Sequence, residues 1–231
     1  MTPSFNTYRV FATSFAAVLL LSLGSCSKDD DTSSDMSQLT AEMCMASTGD
    51  TQQIVSAVTD ADVKLAFTQP LSASWAQKGD SVYRSLIYYN KVSEPSAAGK
   101  VKPLRADRVY VLTPKNLADA KKWSGEVDPL GLTSAWFSKN GKYLNLQLAF
   151  KNGTSDTSTQ SQTIGMVCDT TIVSAKGKRQ YCHLCHNQNG VPTYYTVDVY
   201  ASVTTDSLAV GDTLTIAFPL WDGTVQKDFI K

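Results

Sequence analysis

Histidine is nearly missing from this chain of 231 residues: His183 and His186 are the only two. Chemistry that assembles a pair of histidines from distant segments is therefore excluded. Glutamate is almost as scarce, with 3 residues against 18 aspartates, while serine and threonine together number 49. Glutamate favours helices and threonine favours strands, so this balance argues against a helical protein. Neither sign of charge is in excess, since Lys plus Arg and Asp plus Glu both number 21. Without a basic surplus there is no field to hold a phosphate backbone, and nucleic acid is not an expected partner. The sequence contains no G-x-S-x-G elbow, P-loop, G-x-G-x-x-G or H-E-x-x-H, so none of the short motifs that announce hydrolase, nucleotide or zinc-protease chemistry is present. The length suits one large or two small domains.

The first residues read as an address. Residues 1–25 carry one charged side chain, Arg9, followed by an apolar run from Val10 to Leu23. That is a signal-peptide pattern, too short to span a bilayer comfortably. The run ends Leu23-Gly24-Ser25-Cys26, which resembles a bacterial lipobox, and Cys26 is the expected lipidation site. More than one acyl chain on that cysteine would anchor the protein stably to a membrane. Ser27 at the next position does not indicate inner-membrane retention. The acidic run Asp29-Asp30-Asp31 resembles the surface-export signal of Bacteroidota lipoproteins. Residues 26–40 are polar and read as a flexible acidic tether. The expected location is the outer membrane, on the cell surface, with its periplasmic face as the alternative.

Beyond the tether the apolar residues recur with period two. Ser81–Tyr89 sets Val82, Leu86 and Tyr88 against Tyr83, Ile87 and Tyr89, with both faces partly apolar. Arg108–Thr113 is a short strand closed by Pro114. In Lys142–Phe150, Leu144, Leu146, Leu148 and Phe150 form a buried face, while Tyr143, Asn145 and Gln147 point outward. Asn140-Gly141 joins that strand to Ala135-Trp136-Phe137 as a hairpin. Thr193–Val203 alternates in the same way, Gly211-Asp212 turns into Leu214, Ile216 and Phe218, and Asp222-Gly223 turns into Val225 and Phe229. Gly165 reads as a strand bulge and Gly190 as a turn. One short helix or loop is expected at Asn116–Trp123. Lys115–Thr133 is the least strand-like interior segment, so the domain boundary is placed there: 41–115 for the first domain and 116–231 for the second. The pattern predicts an all-β protein of sandwich or barrel type.

Cys182-His183-Leu184-Cys185-His186 matches C-x-x-C-H, the attachment motif of c-type haem. In that reading Cys182 and Cys185 hold the porphyrin and His186 binds the iron. Against it, Arg179–His186 reads as a strand, which sends Cys182 and Cys185 to opposite faces. Zinc is disfavoured as well, because contiguous residues can hardly wrap one tetrahedral ion. The structural alternative makes Cys44, Cys168, Cys182 and Cys185 disulfide candidates in an oxidising compartment, with the connectivity open. No metal or other cofactor is expected. Asp60 and Asp62 read as solvated loop residues. Tyr88-Tyr89 and Tyr194-Tyr195 each place one ring on either face of a strand, where an outer ring could stack a sugar.

The order of features also resembles a known family. A lipobox and acidic tether precede Gly79-Asp80-Ser81-Val82-Tyr83, then Trp136-Phe137 with Tyr143-Leu144-Asn145-Leu146-Gln147, then His186-Asn187 before Gly190. This resembles the NigD-like lipoproteins of Bacteroidota, most closely over Ser134–Gly153 and more broadly over about residues 50–231. The chain departs from the pattern in 93–106 and in the extra cysteines of 176–190. The resemblance implies a small OB-like barrel followed by an immunoglobulin-like β-sandwich, and no reaction. The functional expectation is a non-catalytic binding or accessory lipoprotein for a protein or glycan partner. The alternative is a covalent haem or redox protein built on Cys182, Cys185 and His186.

Overall fold

The structure, a computed structural model, describes residues 39–92, 99–120, 125, 127–154, 161–175 and 177–231. Cys26, with the leader and most of the tether, lies outside the described residues. Regular structure among the described residues is entirely strand. Strands β1 (Leu39–Thr48), β2 (Ile54–Thr59), β3 (Lys64–Leu71), β4 (Val82–Lys91) and β5 (Lys100–Arg108) close into a barrel of order β1-β2-β3-β5-β4. In it β3 and β5 run parallel and β4 returns to β1. This is the five-stranded Greek-key barrel of OB type. Its interior is filled by Cys44 and Ala46 of β1, Ile54 and Ala57 of β2, Leu65 of β3, Ile87 and Tyr89 of β4 and Val101 of β5. Leu39 and Thr40, assigned to the tether from composition, already pair with β4.

Nine further strands follow among the described residues. Strands β6 (Tyr110–Leu112), β8 (Gly131–Phe137), β9 (Tyr143–Asn152) and β12 (Tyr195–Thr204) form a sheet of order β6-β12-β9-β8. Strands β7 (Lys115–Asn116), β10 (Thr163–Ser174), β11 (Gly177–Asn187), β13 (Thr213–Leu220) and β14 (Gly223–Ile230) form a second, of order β14-β13-β11-β10-β7. Leu144, Leu146, Leu148 and Phe150 of β9 pack with Ala201 and Val203 of β12 against Met166, Leu184, Leu214, Ile216 and Phe218 of the other sheet. Each of these side chains larger than alanine, fully buried, contributes on the order of 1.5–3 kcal/mol. The fold is therefore all-β, a barrel followed by a sandwich. Three sandwich pairings are parallel: β6 with β12, β7 with β10, and β11 with β13.

Several local expectations need correction. Tyr110–Leu112 pairs with β12, so this segment, placed with the barrel by the 41–115 boundary, belongs to the sandwich. Lys115–Asn116 is a strand, not a helix start, and a turn follows in which Asn116 Oδ1 accepts the Asp119 N–H at 3.0 Å. Pairing with β10 outweighs the helical preference of so short a segment. The rest of the helix expected there, 121–123, lies outside the described residues. Gly165 sits in regular register opposite Cys185, and the bulge falls instead between Cys168 and Thr170, leaving Asp169 unpaired in the ladder.

The barrel and the sandwich belong to one structural unit and share a buried face. Met43, Leu86 and Val109 cluster there, with Tyr88 and Tyr200 packed against them. Beside them Arg84 is fully enclosed. Its guanidinium donates to both oxygens of Asp60 at 2.6 and 2.7 Å, to Asn145 Oδ1 at 2.9 Å and to Ser202 Oγ at 3.0 Å, and it lies over the Tyr143 ring. Asp60 is thus no solvated loop carboxylate. On the outward face of β9, Tyr143 and Asn145 meet the barrel, Asn145 wholly buried and Tyr143 partly. Asp62 remains exposed, 3.7 Å from Lys142 Nζ.

Candidate functional site

The C-x-x-C-H residues lie on β11, where alternation decides what they can do. Cys182 and Leu184 point into the sandwich core, while Cys185 packs on the opposite face against Val167 and Ala120. Two sulfurs on opposite faces cannot bond the same edge of one porphyrin. His186 is wholly buried 4.5 Å from the Phe150 ring, its Nδ1 and Nε2 lying 3.0 and 2.9 Å from the Asp128 carbonyl and Gln162 Oε1. Burial holds its pKa below the ordinary histidine value. Both ring nitrogens are occupied by fixed oxygens, so this side chain is part of the core packing and not an open ligand position. The trio Cys182, Cys185 and His186 does not fit haem. His183 faces outward and meets the Asp169 carboxylate at 2.8 Å. No group of three His, Cys, Asp or Glu suited to a metal ion occurs among the described residues.

The disulfide candidates are separated by the fold. Cys44 stands inside the barrel, where burial, foremost, pushes its thiol up to about 12. Cys168 stands opposite Cys182 on neighbouring strands, and none of the four forms a disulfide in this structure.

The most concentrated chemistry at the surface lies where barrel and sandwich meet. A groove of about 530 Å³ is lined by Tyr88, Arg105, Asp107 and Arg108 from the barrel and by Tyr110, Asp198 and Tyr200 from the sandwich. The ends of β4 and β5 supply one wall, β6 and β12 the other. Arg105 Nε donates to Asp107 at 2.7 Å, and its guanidinium lies 5.6 Å from the Tyr88 ring. Arg108 sits 5.1 Å from the Tyr110 ring. Burial, foremost, raises the Tyr88 and Tyr200 hydroxyls above the usual phenol range, with Asp107 adding to the first and Asp198 to the second. Both therefore stay protonated donors at neutral pH. A second hollow of about 410 Å³ shares Tyr110, Val197 and Val199 with the first and continues past Phe150, Ile164 and Val191. The first offers ring faces, two guanidinium groups and two carboxylates. That set can recognise a partner by stacking and paired hydrogen bonds.

No family model matches the chain, and no curated protein matches it. Solved structures do. One is a NigD-like immunity protein from Bacteroides caccae, 20% identical, with a TM-score of 0.61 over 83% of this chain and 96% of that one. Another is a protein of unknown function from Bacteroides vulgatus, 18% identical, with a TM-score of 0.56 over 84% and 90% of the two chains. A third is a candidate lipoprotein from Bacteroides fragilis, 13% identical, with a TM-score of 0.54 over 83% and 96%. This chain shares their fold. The coverage runs through barrel and sandwich together, so the likeness extends to the two-part architecture as well as to each part. None of these three descriptions names a reaction.

Of the residues singled out by sequence, Tyr88 lines the groove. Tyr89 is buried in the barrel and donates its hydroxyl to Glu42, and Tyr194 and Tyr195 are exposed and do not line the groove. The sequence patterning alone does not set Arg105, Asp107, Arg108 and Tyr110 apart as site residues. Their available signal is Arg105-Ala106-Asp107-Arg108-Val109-Tyr110, which alternates charge and ring around small apolar residues that face inward.

Proposed function

We propose that this protein is a non-catalytic binding module of a surface-exposed outer-membrane lipoprotein, held by acyl chains on Cys26, and that it grips a protein partner in the groove between barrel and sandwich. The observation that carries the reading is the groove lining of Tyr88, Arg105, Arg108, Tyr110 and Tyr200. Tyrosine and arginine are the residues enriched where interfaces concentrate their binding energy. Asp107 and Asp198 beside them supply the opposite charge that sets partner choice and orientation. A protein partner fits better than a glycan, because the lining carries charges of both signs.

Two experiments test this. Protease shaving of intact cells, with an epitope tag after Lys231, should remove the tag; protection of the tag until the outer membrane is opened would place the protein on the periplasmic side. A photocrosslinking residue at position 110, activated on living cells, should give a discrete adduct that protease destroys. The adduct should fall at least about tenfold when Arg105 is changed to Ala, since an interface arginine of this kind is worth roughly 1.4 kcal/mol or more. The same probe at Val225, on β14 remote from the groove lining, should give none. An adduct that survives protease but not glycosidase would replace the protein partner with a glycan, and no adduct at position 110 would refute the groove.

A further inference from the structure

We infer that Cys168 and Cys182 form a structural cross-strand disulfide that staples β10 to β11 inside the sandwich, with Cys44 and Cys185 outside that disulfide. The register sets the two residues directly opposite one another in the antiparallel ladder, so their side chains share a face. That face is the core one: Cys182 belongs to the buried cluster and Cys168 packs against it. Opposed residues in such a ladder have Cα atoms about 4.5–5.5 Å apart, inside the window of roughly 4.4–6.8 Å that disulfides occupy. Their Cβ atoms must approach by about 1 Å to bond. The bulge at Asp169, immediately after Cys168, loosens the ladder where that movement is needed. The same face brings Gln180 Nε2 to 3.2 Å from the Cys168 sulfur.

The other thiols are excluded by position. Cys185 stands opposite Gly165 and faces away from the core, against Val167 and Ala120. Cys44 lies in the separate core of the barrel. The oxidant is a reactive disulfide, of a thiol–disulfide oxidoreductase in the cell or of oxidised glutathione in the tube. Cys168, the more exposed of the pair, attacks as thiolate and releases one thiol of the oxidant. Cys182, losing its proton, then attacks the Cys168 sulfur and releases the second. Two cysteine thiols become one disulfide, and the oxidant disulfide becomes two thiols. Because Cys182 is buried, the second step belongs to folding, before the core closes.

The test is independent of the groove and of cellular location. The full chain, extracted in detergent without reductant, is alkylated in denaturant and digested. The expected result is a peptide pair joined through Cys168 and Cys182, with Cys44 and Cys185 carrying the alkyl group. Adding reductant should raise the alkylated thiols among these residues from two to four and lower the melting temperature. C168S should return Cys182 to alkylation and make melting indifferent to reductant; C185A should leave the link intact. Should C182S fail to fold, C168S carries the same comparison, since its side chain is only partly enclosed. Four alkylated thiols both as isolated and after refolding with oxidised glutathione, or a link through Cys44 or Cys185, would overturn the assignment.

Discussion

Arg84 shows how one side chain can join two substructures. It projects from the outer face of β4, and its side chain is 0% exposed. Four of its N–H groups find oxygens on Asp60, Asn145 and Ser202, which come from both sides of the junction. A buried ion pair is no large net gain over an apolar replacement, but breaking one partner is costly. Changing Asp60 to Ala leaves the guanidinium enclosed without its counter-charge and should cost about 3–5 kcal/mol in urea unfolding. Arg84→Met combined with Asp60→Leu should recover most of that loss, because no charge is left behind. A single Asp60→Ala change that costs under about 1 kcal/mol would mean the junction is hydrated in solution.

The β10–β11 hairpin illustrates control at the level of an element. Its turn depends on Gly177, whose φ of 111° lies in a region that L side chains rarely adopt. A Cβ there would also come within 3.2 Å of Asp212 Oδ1. That carboxylate is committed, accepting the Lys178 and Ala209 N–H groups at 2.8 Å each, and these two bonds hold it below the usual carboxylate range. Gly177→Ala should therefore destabilise the protein by about 1–3 kcal/mol, as strained backbone positions do. Thermal unfolding would measure it, with groove crosslinking unchanged in the folded fraction. An alanine variant as stable as the parent would show that the turn relaxes into another form.

At the scale of the molecule, the decisive feature is that β1, β4 and β9 are covered on both sides. Barrel residues Met43 and Leu86 are buried only because the sandwich lies over them, with Tyr200 against the cluster. Neither substructure can then unfold without exposing apolar surface of the other. The expected behaviour is a single cooperative transition in which far-UV circular dichroism and tryptophan fluorescence coincide. Trp75 reports from the barrel, where it packs on Tyr83, and Trp221 from the sandwich, where Lys151 lies over its ring. Introducing a charge with Leu86→Asp should split the signals into two transitions. Coincident signals in that variant would show that the charged network around Arg84 suffices to couple the two parts.

The strands and their turns were legible in the sequence because both are local properties. Leu144, Leu146, Leu148 and Phe150 alternate, and so do Val197, Val199, Ala201 and Val203; all of them face the sandwich core. Asn140-Gly141, Gly211-Asp212 and Asp222-Gly223 turn the chain where their conformational freedom requires. The same alternation rightly separated Cys182 from Cys185, since it settles which residues share a face. What it leaves open is what covers the face. Asn145 alternates outward yet is 0% exposed, and Asp60 closes on a buried arginine 24 residues further along the chain. The groove depends on that same closure, drawing Tyr88 and Arg105 from one substructure and Asp198 and Tyr200 from the other. The register of the β10–β11 hairpin set Cys168 against Cys182. The two-residue period of a strand determined the sidedness of this protein; docking of barrel on sandwich, a matter of distant surfaces, decided which outward side chains meet water and which meet one another.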